Sequence, residues 1–94
     1  MIQINLEELK QIKLKQLKYN VSILLTEIDY VIMKISEAQL LNDTAKVEAL
    51  KQKYSSQLQR RENIRAWAEQ VKQAIKNAKT VEELNSIEVK YNDA

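Results

Sequence analysis

The 94-residue chain contains no glycine, proline, cysteine, histidine or phenylalanine. Average usage of about 7% Gly and 5% Pro would place roughly eleven of those two residues in a chain of this length. Without glycine there is no P-loop, no dinucleotide-binding fingerprint and no nucleophile elbow, because each needs backbone conformations or close approaches that a Cβ forbids. Without cysteine and histidine there is no disulfide, no thiol nucleophile, no zinc site of the usual kind and no side chain that exchanges protons near neutral pH. The Glu-x-x-His element of helical di-metal sites is missing for the same reason. A long apolar run is also lacking. The longest stretch without charge, Tyr19 to Thr26, is eight residues, whereas a membrane span needs about twenty.

These absences point to a non-enzymatic protein with no metal and no cofactor. The carboxylates left as candidates do not pair for chemistry. Glu27 and Asp29 stand at i and i+2 and point apart on a helix, while Glu7 and Glu8 suit the positive end of a helix dipole. The opening Met1-Ile2-Gln3-Ile4-Asn5 has neither a basic n-region nor an apolar h-region, so it does not read as a secretory signal. The expectation is a cytoplasmic protein, without a small-molecule substrate or a membrane partner.

What is present is helix-forming. Hydrophobic residues make up 45% of the chain and charged ones 30%, which suits one small helical domain and is too apolar for a disordered chain. The net charge of +2 carries no global nucleic-acid signature. Its distribution is uneven: residues 1–40 balance, residues 41–79 have nine basic against four acidic groups, and residues 80–94 have one lysine against four acids. An acidic tail after a basic segment is expected to fold back on it.

Asn5, followed by Glu7 and Glu8, predicts the start of a first helix running to about residue 41. Asn42-Asp43-Thr44 predicts the turn, with Asn42 in the left-handed position that glycine usually takes and Asp43 or Thr44 capping the next helix. That second helix is expected over about 44–79. Thr80-Val81-Glu82-Glu83 is a capping box for a short third helix over about 81–91, after which Asn92-Asp93-Ala94 are expected to fray. The two long helices must run antiparallel across so short a connection. The fold class is therefore all-α: a long, coiled-coil-like antiparallel hairpin with a short third C-terminal helix.

The first helix carries two apolar seams. Leu17, Val21, Leu24, Ile28, Val31, Ile35 and Ala38 alternate spacings of four and three, flanked by Leu25 and Ile32, and occupy an arc of about 140°. Lys10 and Lys13 would continue that arc, so the seam is expected to end near Leu14, and these lysines, with Lys15 and Lys18, read as solubilising charge. A second seam of Leu9, Ile12, Tyr19, Ile23 and Tyr30 lies roughly 140° away, with Gln16 and Thr26 at its intervening positions and Met33 nearby. It is covered by the third helix, by a copy of the chain, or by a different protein. Tyr19, Ile23, Tyr30 and Met33 are the candidate interface.

The second helix changes its apolar face between Val47-Leu50-Tyr54-Leu58 and a later stripe through Ile64, Trp67, Val71 and Ile75. The apolar-free stretch 59–63 lies between the two, and continuity is expected there because none of its residues breaks helices strongly. Trp67, the sole tryptophan, is a candidate core or interface anchor. Arg61, Arg65, Lys72 and Lys76 share one narrow arc and could track phosphates. With Glu62 and Glu69 near that face, a solvated surface or ion pairs with the third helix explain it equally well.

Two stretches carry a family resemblance. Leu6-Glu7-Glu8-Leu9-Lys10-Gln11-Ile12-Lys13-Leu14 looks like the "LxxLKxxKL" start of small helical proteins from the tail modules of tailed bacteriophages, including tail-fibre assembly and tail-chaperone-like proteins. The run with Arg61, Ile64-Arg65-Ala66-Trp67, Val71, Ala74-Ile75, Ala78 and Thr80-Val81-Glu82-Glu83-Leu84 resembles their C-terminal pattern. The middle of the chain departs from that group in lacking its glycine and proline. The resemblance implies a phage-encoded assembly factor or minor structural component, found in the host cytoplasm or the virion. It carries over no functional residue. The alternatives are a small phage inhibitor that blocks a host defence or regulatory enzyme, and a nucleic-acid-binding accessory protein using the basic stripe.

Overall fold

A computed structural model describes residues 5–92, and the expectations for residues 1–4 and for fraying at Asp93 and Ala94 fall outside that range. The described residues form an all-α fold: α1 (Leu6–Leu40), α2 (Thr44–Lys53), α3 (Ser55–Asn77) and α4 (Val81–Ser86). The hairpin is slender, 62 × 24 × 18 Å along its principal axes.

The helix boundaries arise from local hydrogen bonds. Asn5 Oδ1 accepts from the Glu8 N–H at 2.8 Å, satisfying one of the donors that the first turn leaves orphaned. At the far end Asn42 adopts φ 55°. This turns the chain so that the Asn42 N–H reaches the Gln39 carbonyl (3.0 Å) and the Asp43 N–H reaches that of Ala38 (2.9 Å). That pair of bonds is a Schellman closure, made with asparagine in glycine's place. Asp43 then caps α2 through the Lys46 N–H. Thr80 caps α4 through the Glu83 N–H, and the Glu83 carboxylate accepts from the Lys79 N–H.

The first seam is the core of α1. Leu17, Ile28, Val31, Ile35 and Ala38 are buried. Toward the turn, Ile28, Val31, Ile35 and Ala38 pack with Val47, Tyr54 and Ile64. At the other end Leu17 packs with Val71, Ile75, Ala78 and Leu84. Val21 touches both clusters.

Three features differ from the expectations. The seam does not end at Leu14. Lys10 is buried, and its ammonium donates to the Lys76 carbonyl at 2.9 Å, while Lys13 donates to the Leu84 carbonyl at 2.8 Å. These two lysines are structural: Lys10 satisfies a carbonyl of the last turn of α3, and Lys13 adds a charged donor to the Leu84 carbonyl of α4, which also accepts from the Ile87 N–H, at helix ends where positive charge is favoured. Second, the expected 44–79 helix is interrupted at Tyr54, although 59–63 is helical throughout as expected. Tyr54 has φ −108° and ψ 23°; its N–H still reaches the Leu50 carbonyl and its own carbonyl accepts from the Leu58 N–H, each at 2.9 Å, so the two helices follow one another with a single-residue break. Third, the last helix stops at Ser86 instead of near Tyr91. Residues 87–92 return along α1 as extended chain, with Ile87, Val89 and Tyr91 half-buried and Glu88, Lys90 and Asn92 exposed. The alternation has the period of a strand-like backbone. Asn20 of α1 donates to the Val89 carbonyl at 2.9 Å.

Candidate functional site

With the first seam inside, the second seam faces out. Tyr19 and Met33 are each 66% exposed, and Ile12, Ile23 and Tyr30 are exposed as well. Lys90 and Tyr91 of the tail border Ile23 but leave it exposed. The spacing of alternately three and four residues runs through Leu9, Ile12, Gln16, Tyr19, Ile23, Thr26, Tyr30, Met33, Glu37 and Leu40, a heptad pattern along almost the whole helix. The polar interruptions are partly neutralised locally. Thr26 Oγ1 donates to the Ser22 carbonyl at 2.6 Å, and Ser22 Oγ to that of Tyr19 at 2.7 Å.

Among the described residues Tyr30 is the one seam residue with a ring partner. It meets Tyr54 edge-on, with centroids 5.8 Å apart at 89°, a favoured geometry for two quadrupoles. The Lys34 ammonium lies 5.9 Å from the Tyr30 ring and 5.7 Å from the Tyr54 ring. It also donates to the Tyr54 hydroxyl at 3.4 Å. That hydrogen bond, with the charges of Lys34 and Lys53, holds the Tyr54 hydroxyl below its ordinary pKa against the opposing effect of burial.

Trp67 lies elsewhere. It is half-buried, packs on the basal cluster and meets Tyr91 edge-on at 5.2 Å, so much of its surface anchors the returning tail. What holds that tail is apolar packing by Leu84, Ile87, Val89 and Tyr91 together with the donors Lys13 and Asn20.

The basic stripe is divided. Arg65 and Lys72 stand with Lys18 and Glu69 around an open groove of about 480 Å³ between α1 and α3, floored by Leu14, Leu17, Val21, Leu25 and Ala68. Arg61 is drawn partly inward, and its Nε is buried without a hydrogen-bond acceptor. Lys76 is exposed outside this groove. Among the described residues no three Asp or Glu side chains gather as a metal site, and no helix is long and apolar enough to cross a membrane.

Sequence reasoning missed Lys10, Lys13 and Asn20, the side chains that fasten the base of the hairpin, and the groove itself. The lysines had one signal: they lie on the backward extension of the buried seam. No family model, curated protein or solved structure matches this chain.

Proposed function

We propose that this chain is a non-enzymatic protein–protein interaction module whose working surface is the second seam of α1. The observation that supports it is the exposure of Ile12, Tyr19, Ile23, Tyr30 and Met33 along one side of a 35-residue helix whose other apolar side is occupied. Exposed apolar side chains scattered singly are ordinary on a protein surface, but a contiguous, regularly spaced strip is the form that helix recognition takes. The resemblance of the first and last stretches to phage tail-module proteins supports a role as an assembly factor or minor structural component, phage-encoded, acting in the host cytoplasm or the virion.

The test replaces Tyr19 and Ile23 together with lysine. Tyr30 is spared because its ring supports Tyr54. Helix content by circular dichroism and the melting temperature should stay close to those of the unaltered chain, while association with protein partners is lost. Unfolding of this variant would place the seam in the core and overturn the reading.

A further inference from the structure

We propose that the occupant of the seam is a second copy of this chain, lying antiparallel, α1 against α1. This rests on the reading of the seam as a partner surface and goes further by naming the partner and its register.

The seam is self-complementary about a midpoint at residue 21. In an antiparallel pair Ile12 faces the partner's Tyr30, Gln16 faces the partner's Thr26, Tyr19 faces the partner's Ile23, and Leu9, half-buried against its own basal cluster, turns its remaining surface to the partner's Met33. Every apolar position meets an apolar one and the two polar positions meet each other, over about 36 Å of helix. A two-fold axis repeats each pairing, as closed dimers require. The charges agree with the direction. With Lys10 and Lys13 held by carbonyls of α3 and α4, the exposed charges of the first half are Lys15 and Lys18, and the acids across the register are Glu27 and Asp29. Parallel pairing would lay each half beside its own charge. Antiparallel pairing lays the basic half on the acidic half and brings Lys15 beside the partner's Asp29, the flanking positions that select orientation in coiled coils. Lys15 and Asp29 are both exposed.

The absence of cysteine makes the orientation directly readable. Ser22→Cys lies next to the midpoint, and its two copies should oxidise to a cross-linked dimer. Met33→Cys places its copies about 36 Å apart along the axis and should not cross-link. In sedimentation the chain should show a monomer–dimer equilibrium that weakens with salt. Lys15→Asp should weaken dimerisation several-fold, and adding Asp29→Lys should restore it. A monomer at millimolar concentration, cross-linking by Met33→Cys, or a dimer that survives Tyr19→Lys with Ile23→Lys would each overturn the self-pairing. The seam's role as a partner surface fails on a different result, the unfolding of that double variant, so the two failures are distinguishable.

Discussion

At the scale of single residues, the hairpin depends on side chains doing what backbone freedom does in other proteins. Asn42 holds φ 55° without being glycine, a conformation that costs an ordinary residue about 1–2 kcal/mol. Asn42→Gly should leave stability within about 1 kcal/mol of the original. Asn42→Val should lose at least about 1–2 kcal/mol, read by urea denaturation. Tyr54 makes a second residue-scale prediction. Its folded pKa lies below the ordinary value of 10.0, so ionisation favours the folded state. The resulting stabilisation is complete above that ordinary value, fades as the pH falls through the lowered one, and is absent at neutral pH. Lys34→Met should move the Tyr54 titration back up toward its ordinary value, monitored by the ring resonances in NMR, and should flatten the stability profile in that alkaline window.

At the scale of elements, α4 and the tail are held by α1 rather than by their own propensity. A six-residue helix is too short to persist alone, and Lys13 supplies the donor for its Leu84 carbonyl. Lys13→Met should speed amide exchange at Ile87, whose N–H bonds to the same carbonyl, while leaving α1 and α3 protected. This division between local and distant causes explains what the sequence disclosed. The caps at Asn5, Asp43 and Thr80, the left-handed Asn42 and the buried seam are written within three or four residues, so they were legible. Lys10 and Lys13 were not, because a lysine on a seam reads as its end until carbonyls from 66 and 71 positions away arrive beside it. The tail was misread because 84, 87 and 91 fit a helical spacing while 87, 89 and 91 fit an extended one, and only packing against α1 and Trp67 decides between them. The break at Tyr54 was not legible: Tyr54 sits inside an unbroken apolar stripe, and no glycine or proline marks it. For the candidate site, the second seam was readable as a pattern, and its exposure was decided by the other seam's burial.

At the scale of the whole molecule, the hairpin is asymmetric across its width. One side of the α1–α3 contact is closed by the tail, with Tyr91 on Trp67. The other is left as the groove above Leu14, Leu17, Val21, Leu25 and Ala68. Lengthening the floor with Ala68→Leu should cover exposed apolar surface and stabilise the chain by about 1 kcal/mol, a rise of roughly 4–8 °C in melting temperature for a domain of this size. The two core clusters also differ in the stretch of chain they connect. In its buried members the one beside the turn spans Ile28 to Ile64, while the basal one spans Leu17 to Leu84. Short closures form first because they lose less chain entropy. During synthesis the buried members of the upper cluster are therefore all present while the residues that seal the base have yet to be made. At about 5–20 residues per second, Leu84 is made after Ile64 by roughly one to four seconds. Until Val71, Ile75, Ala78 and Leu84 arrive in turn on Leu17, the lower half of α1 stands with both of its apolar faces bare, and any nascent neighbour can meet either one.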